Sequence, residues 1–146
     1  MNLIERTLVL LKPETVLRGL VGEIISRIEK RGLSITSFKI VSVTRRQAEE
    51  LYIMHRGKPF YESLIEHITS GPVVAMVVEG LDAIRTMRRM IGATNPCEAD
   101  PGTIRGDYGL TITKNVIHAA DSFENAEREI KIFFKPEEII SIQRHG

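Results

Sequence analysis

The order in which the chain switches between two hydrophobic periods is the feature that most constrains its fold. Nearly unbroken apolar runs at residues 7–11 and 72–79 predict strands that are buried on both faces. Between them, apolar side chains recur at helical spacing over residues 17–28, and Gly32 is well placed to end that helix. Residues 33–44 alternate with β-branched side chains, which is typical of a strand.

The second half of the chain continues this alternation. Residues 45–55 and 61–69 show helical spacing on either side of the Gly57-Lys58-Pro59 break, and residues 81–91 mark another helix face. An irregular stretch of about twenty residues, rich in Gly, Pro, Asn and Asp, follows. So long a stretch inside a compact domain is usually functional.

A short strand at residues 116–117 and a helix over residues 123–134 complete the order β-α-β-(αα)-β-α-loop-β-α. This order predicts an α/β (α+β) sandwich of the ferredoxin-like kind, in which helices cover a four-stranded antiparallel sheet. The 146 residues fit a single domain over residues 1–146, and folding at this size buries roughly 70% of the surface of the unfolded chain.

Charge and cysteine content exclude several classes of function. A formal net charge of +1 argues against a dedicated nucleic-acid binder and favours a small ligand. No apolar run approaches the length needed to span a bilayer. Cys97 is the single cysteine, which excludes an internal disulfide, and the first residues do not resemble a secretory signal. We therefore expect a cytoplasmic protein without a membrane partner.

The segment at residues 115–122 carries the clearest signal of chemistry. His118 follows an apolar pair and precedes a helix whose N-terminal cap is Asp121 or Ser122. Glu129 lies at the edge of the apolar face of that helix, where an unpaired carboxylate would be costly. Its partner is either His118 or a basic side chain from a neighbouring element. A histidine held in one tautomer by a carboxylate suits nucleophilic or acid–base work, whereas the alternative is a structural histidine in a capped loop.

Three cationic side chains fall at positions that suit an anionic ligand. Arg88 lies on the core side of its predicted helix, where the alternatives are a snorkelling side chain or an internal salt bridge. Arg105 lies in the irregular stretch among glycines, which allow close approach of a ligand to the backbone. Lys12 ends the first strand, at the edge of the sheet where open α/β folds commonly bind ligands. Three cations in one cleft would suit a polyphosphate, although no Walker A pattern is present.

Several blocks of the sequence, in their order along the chain, resemble one known family. The blocks lie at residues 6–13, 18–25, 31–32, 55–61, 70–74, 92–96, 101–107 and 115–122. They resemble the nucleoside diphosphate kinases over nearly the whole chain, and the block containing His118 is the signature of that family. The resemblance implies a ferredoxin-like fold, a phosphohistidine intermediate, and Mg²⁺-dependent transfer of the γ-phosphoryl group from a nucleoside triphosphate to a nucleoside diphosphate.

The resemblance also implies roles for the matching residues. His118 is expected to accept the phosphoryl group through Nδ1, while Glu129 orients the ring through the other nitrogen. Tyr52 is expected near the histidine, in a catalytic site that Lys12 shares. The expected phosphate ligands are Lys12, Arg88, Thr94 and Arg105. The expected nucleoside contacts are Asn115 and Lys12 for the ribose, and Phe60 with Ile112 for the base.

Cofactor and partners follow from the same resemblance. Mg²⁺ is expected to bind mainly through the nucleotide phosphates, without a dedicated set of protein ligands. The expected partners are nucleoside tri- and diphosphates such as ATP and GTP. The family also implies a homo-oligomer, with a hexamer favoured over a tetramer. The alternative is a non-catalytic nucleotide-binding protein of the same fold, with a regulatory or scaffold role.

One position departs from the family pattern. The family usually has Gly-Ser-Asp after the histidine, whereas this chain has Ala119-Ala120-Asp121. The missing serine hydroxyl would hydrogen-bond the orienting carboxylate and approach the phosphates. We therefore expect this protein to fix Glu129 by other means or to tolerate a more loosely held imidazole.

Overall fold

The computed structural model describes residues 3–142, so residues 1, 2 and 143–146 of the predicted domain lie outside the described part. The strands are β1 (Ile4–Leu11), β2 (Ser34–Ser42), β3 (Pro72–Leu81) and β4 (Ile117–Ala119). They form one antiparallel sheet in the order β2-β3-β1-β4. The predicted fold class, a four-stranded antiparallel sheet covered by helices, is confirmed.

Helices cover both faces of this sheet. They are α1 (Pro13–Leu17), α2 (Val21–Lys30), α3 (Arg45–Leu51), α4 (Tyr61–Ile68), α5 (Ala83–Ile91), α6 (Ile104–Tyr108) and α7 (Phe123–Phe133), with 3₁₀ turns at Ile53–His55 and Pro136–Glu138. Among the helices of residues 3–142, none combines the length and apolar character that a membrane crossing requires.

The central strands alternate between two hydrophobic cores, because successive side chains of a strand point to opposite faces. Leu8 and Leu10 of β1 pack into the core formed with α3, α4 and α7. Val9 and Leu11 of the same strand pack into the core formed with α2 and α5. Burial on both faces explains why this strand is an unbroken apolar run in the sequence.

The sheet register decides which layer receives the candidate catalytic histidine. His118 of β4 lies opposite Leu10 of β1 in the antiparallel ladder. Residues directly opposite each other share a face of the sheet. His118 therefore projects toward the layer of α3 and α7, and α7 contains Glu129.

Two predicted helices differ from the observed ones. The helix predicted over residues 17–28 is interrupted, because Gly19 has a φ of +70° and separates α1 from α2. Leu17, which we expected on its apolar face, is exposed. Phe123, the first residue of the predicted last helix and apolar, is also exposed, and the cap of α7 is Ser122, whose side chain accepts the Asn125 N–H.

Two differences concern the segment before the candidate catalytic histidine. The irregular stretch after α5 contains the short helix α6, which begins at Ile104 and is capped by the Thr103 hydroxyl, which accepts the Gly106 N–H. The strand predicted at residues 116–117 begins one residue later and runs through Ala119, because Val116 has a positive φ and cannot join the ladder.

Candidate active site

A strained turn precedes β4. Val116 has a φ of +79°, and the Ile117 N–H donates to the Asn115 carbonyl at 2.9 Å. A bond between residues two apart, around a residue of positive φ, defines a γ-turn of the strained kind. A β-branched residue in this region costs of order 1–3 kcal/mol and persists only when the surrounding structure holds it.

The start of α1 supplies the groups that hold this turn. Glu14 Oε2 accepts the Val116 N–H at 3.0 Å. Thr15 Oγ1 and the backbone N–H of Lys12 donate to the Val116 carbonyl at 2.6 and 2.9 Å. The other oxygen of the Glu14 carboxylate lies 2.6 Å from His67 Nε2. The backbone N–H and carbonyl of Val116, which is fully buried, therefore both have hydrogen-bond partners.

The structure brings His118 and Glu129 together. His118 Nε2 lies 2.6 Å from Glu129 Oε1. The Glu129 side chain is 3% exposed and that of His118 is 19% exposed, so the carboxylate is enclosed while the ring keeps access to solvent. Of the two partners that the sequence left open, His118 is therefore the one in contact; Arg128, whose Nη2 lies 3.5 Å from Glu129 Oε2, belongs to α7 itself. With Glu129 ionised, Nε2 carries the proton and Nδ1 has a free lone pair.

Aromatic rings lead from this histidine to the protein surface. Tyr52 is buried, and its ring meets the His118 ring edge-on with 6.3 Å between centroids. Burial raises the pKa of Tyr52, and the charges of Glu129 and Glu14 raise it further, so the phenol is neutral. The His55 ring lies 6.3 Å from Tyr52 and 5.3 Å from Phe60, whose own ring is exposed.

Lys12 and Asn115 form a buried polar pair beside the strained turn. Lys12 Nζ donates to Asn115 Oδ1 at 2.7 Å and to the Thr113 carbonyl at 3.2 Å. Asn115 Nδ2 donates to the Thr94 carbonyl at 3.0 Å, which connects three of the predicted nucleotide contacts. Burial lowers the pKa of Lys12 to about 8, against the attraction of Glu14. The ammonium is therefore poorly compensated in the free protein.

Two arginines reach β4 from other elements. Arg88 Nη1 of α5 donates to the Ala119 carbonyl at 3.0 Å. Arg105 of α6 is buried, and its Nη1 and Nη2 donate to the carbonyls of Gly92 and Ile117 at 3.2 and 2.8 Å. Burial lowers the pKa of Arg105 to about 10, and the nearby positive charge of Arg88 lowers it further. Arg105 Nε is buried without a hydrogen-bond partner.

Ile112 lies in a tight turn next to this cationic cluster. The backbone N–H groups of Leu110 and Thr111 donate to the Lys114 carbonyl, at 3.0 and 3.3 Å. This turn leaves Ile112 exposed, immediately before Thr113, whose carbonyl accepts from Lys12.

The carboxylates and histidines of the described residues do not form a dedicated metal site. Within residues 3–142, no three His, Cys, Asp or Glu side chains are grouped as ligands of one ion. Asp121 is exposed; a hydrogen bond from Asn125 holds the pKa of its carboxyl below the usual range, and the charges of Arg88 and His118 lower it further. One exposed carboxylate beside a cationic cluster fits an Mg²⁺ ion that is held mainly by substrate phosphates.

Comparison with known proteins places this chain in a family. The family model for nucleoside diphosphate kinase matches residues 5–139. The chain belongs to the nucleoside diphosphate kinase family. It is accordingly a phosphotransferase.

Curated relatives and solved structures agree with this assignment. The nucleoside diphosphate kinase of Pyrococcus furiosus is 60% identical over 142 residues, covering 95% of this chain and 88% of that protein. That of Archaeoglobus fulgidus is 55% identical over 140 residues, with 96% and 93% covered. The Halobacterium salinarum nucleoside diphosphate kinase in complex with CDP superposes with a TM-score of 0.93 at 45% identity, covering 97% of this chain and 94% of that one. The nucleoside diphosphate kinase of Aquifex aeolicus superposes with a TM-score of 0.92 at 42% identity, covering 94% of this chain and 100% of that one.

Within this nucleoside diphosphate kinase fold, Ala120 is buried against Ile84 and Ala126. Arg128 is held by the carbonyls of Glu50 and Leu51, at 2.5 and 3.5 Å, while it approaches Glu129. Arg128 therefore gives Glu129 a second contact besides His118, while Ala120 has no hydroxyl to offer it.

Sequence reasoning missed Arg128, Glu14 and His67. Glu14 could have been noticed as an acidic residue in the first turn of a helix, but that signal does not indicate a contact to residue 116. Arg128 and His67 give no local signal, because the Glu50 carbonyl that holds Arg128 and the Glu14 carboxylate beside His67 are distant from them in the chain.

Proposed function

We propose that this chain transfers the γ-phosphoryl group of a nucleoside triphosphate to a nucleoside diphosphate through a phosphohistidine on His118. The observation that carries the proposal is the His118–Glu129 contact at Nε2, which leaves Nδ1 as the nucleophile. Family membership and the cations around β4 support it.

In the first half-reaction, the Nδ1 lone pair attacks the γ-phosphorus. The bond from that phosphorus to the β–γ bridging oxygen breaks, and the diphosphate leaves with the bonding electrons. The ring then carries a positive charge, which the Glu129 carboxylate stabilises through the retained Nε2–H. In the second half-reaction, a terminal oxygen of the acceptor diphosphate attacks the phosphorus and the P–N bond breaks. Donor and acceptor use the same site in turn, so the kinetics are ping-pong.

Lys12, Arg88 and Arg105, with Thr94, are the proposed phosphate ligands. Their role is to bind and align the polyphosphate, which is where most catalysis of phosphoryl transfer resides. Burial lowers the pKa values of Lys12 and Arg105, and the positive charge of a neighbouring arginine lowers each further, so these cations are crowded and poorly solvated in the free protein. An anionic ligand relieves this crowding, and the orphaned Nε of Arg105 gains a partner.

Tyr52 lies against His118 as a neutral phenol, and we propose that it helps to hold the ring in place. Asn115 and Lys12 are the proposed ribose contacts, and Phe60 with Ile112 is the proposed clamp for the base. Stacking between apolar side chains accepts every base, because each has a π face, so broad nucleotide specificity follows. The Halobacterium salinarum relative in complex with CDP supports nucleotide binding by this fold.

We propose Mg²⁺ as the cofactor, which the nucleotide phosphates would hold, with Asp121 as the nearby exposed carboxylate. Bound in this way, the ion supplies positive charge that neutralises and aligns the transferring group. The non-catalytic alternative, a regulatory or scaffold protein, is not favoured, because His118 and its orienting carboxylate are both present.

We also propose a cytoplasmic homo-oligomer, a hexamer in preference to a tetramer. Strand β2 lies at an edge of the sheet and exposes Phe38 and Ile40, and exposed apolar side chains on an edge strand favour pairing with another chain. Sedimentation at micromolar concentration tests this, and a monomer or dimer would contradict it.

The test of the function is incubation with γ-labelled ATP. We expect a label that remains on the protein, is stable in alkali and is lost in acid, and that passes to an added nucleoside diphosphate. A protein that binds nucleotide but retains no label would be the non-catalytic alternative instead.

A further inference from the structure

We propose that Glu14, paired with His67, is a positioning residue that fixes the strained turn in front of His118 and thereby places the imidazole for phosphoryl transfer. This inference rests on the proposed phosphohistidine on His118. It assigns a role in catalysis to a carboxylate that lies outside the His118–Glu129 pair.

The contacts of Glu14 join three separate elements. Its Oε2 accepts the Val116 N–H at 3.0 Å, and its Oε1 lies 2.6 Å from Nε2 of His67 in α4. The side chains of Glu14 and His67 are only 9% and 13% exposed. A carboxylate with both oxygens engaged by groups from different elements has little freedom to rotate, so it holds the Val116 N–H in one direction.

Glu14 is suited to accept this hydrogen bond as an anion. Burial raises the pKa of Glu14, but hydrogen bonds from His67 and from the Val116 amide outweigh that effect and keep the pKa below its usual value. Hydrogen bonds to an ionised acceptor are shorter and stronger than neutral ones. His67 supplies the partner that a buried carboxylate requires.

The turn that Glu14 holds determines the register of β4. Val116 is in an unfavourable conformation, and an ordinary extended conformation there would change the length of chain between Asn115 and the strand. A slip of one residue in an antiparallel ladder turns every side chain to the opposite face. His118 would then leave the face where Glu129 and Tyr52 lie.

The same turn also connects the nucleophile to the phosphate ligands. Asn115 immediately precedes Val116 and accepts a hydrogen bond from Lys12 Nζ, while the Lys12 backbone N–H donates to the Val116 carbonyl. Arg88 and Arg105, which reach the carbonyls of Ala119 and Ile117, are anchored on other helices. Loss of Glu14 should therefore disturb the transfer step more than it disturbs nucleotide binding.

The experiment compares Glu14→Ala with Glu14→Gln in the full chain. We expect Glu14→Ala to slow phosphorylation of His118 by saturating ATP about tenfold or more in single-turnover measurements, as for loss of a hydrogen bond to a charged group. The Kd of a nucleoside diphosphate should change by less than about threefold, because a local shift of the imidazole leaves the anchored arginines in place. Glu14→Gln keeps an acceptor oxygen for the Val116 N–H and should recover most of the rate.

Glu127→Ala is the matched control. It removes a partly buried ion pair with Arg6 and has no contact with the turn. Its melting temperature should fall, while the phosphorylation rate stays within about twofold of the parent chain. If Glu14→Ala behaves like this control, with lower stability and an unchanged rate, Glu14 is structural only and the proposal is wrong. An equal loss of rate and nucleotide affinity would also overturn it.

A second variant, His67→Leu, and the parent chain itself complete the experiment. If Glu14→Ala does not fold, His67→Leu tests the pair while Glu14 still contacts Val116, and we expect a slowing of about two- to fivefold with the Kd retained. An unchanged rate in His67→Leu would contradict the role of the pair. Failure of the proposed function is distinguishable, because the parent chain itself would then retain no label from ATP.

Discussion

The molecule contains two carboxylate–imidazole pairs of equal length, His118–Glu129 and His67–Glu14, each with 2.6 Å between Nε2 and a carboxylate oxygen. Their surroundings differ. Around His118 lie a neutral Tyr52 and the backbone carbonyls that bind Arg88 and Arg105. In the other pair, the second carboxylate oxygen of Glu14 accepts the Val116 N–H. A short contact between imidazole and carboxylate therefore does not identify a nucleophile. The groups around each pair distinguish the two, and they are the reason why we propose His118 rather than His67 as the nucleophile.

The largest expected effect separates these two histidines. His118→Ala should lower phosphoryl transfer by more than about 10³-fold, because it removes the acceptor atom, while nucleotide binding is largely kept. His67→Ala should still form the phosphohistidine, at a reduced rate. Steady-state assays with ATP and a diphosphate acceptor, together with the retained label, compare the two. Near-normal turnover in His118→Ala, or loss of all label in His67→Ala, would mean that the two pairs have been assigned the wrong way round.

The second prediction concerns the charge that surrounds one pair and not the other. The pKa of Lys12 is about 8 in the free protein, and bound phosphates favour its charged form and raise that pKa. Nucleotide affinity is therefore fully present below pH 8. It should fall as the pH rises above 8, by up to roughly tenfold per pH unit until the pKa of the complex is reached.

Calorimetry at pH 8.5 to 9 in buffers of different ionisation enthalpy should then show the uptake of about one proton for each nucleotide bound. In Lys12→Met this uptake should disappear, although affinity is weaker. Proton uptake that persists in the methionine variant would assign the titration to another group.

The smallest expected effect lies at Ala120, beside the orienting carboxylate of His118. A neutral hydrogen bond contributes about 0.5 to 1.5 kcal/mol net, so Ala120→Ser should raise kcat/KM about two- to tenfold if its hydroxyl reaches Glu129. Glu129→Ala should cost more, because it removes the orienting partner itself. Steady-state assays of both variants measure these changes in kcat/KM. A folded serine variant that is slower than the parent chain would show that another group, of which Arg128 is the nearest candidate, already fixes Glu129.

Local sequence patterns predicted most of the fold. The runs that became β1 and β3 are apolar throughout because both faces of those strands are buried, and that signal needs no knowledge of their neighbours. The break at Gly19 and the γ-turn at Val116 were missed, because positive φ values leave little trace in hydrophobic periodicity. Valine gives no indication that its backbone is left-handed.

The sequence by itself determined the types of residue available for chemistry: a histidine beside a helix start, a carboxylate on that helix, and cations at the end of a strand, on a helix and in an irregular stretch. Resemblance to a family then gave each a prospective role. Only the tertiary structure decided which carboxylate meets which imidazole, because Glu14 and His67 are brought together by the packing of α1 and α4, far apart in the chain. Local periodicity reports burial, whereas pairing depends on distances between elements, and those distances exist only once the sheet and its helices have packed.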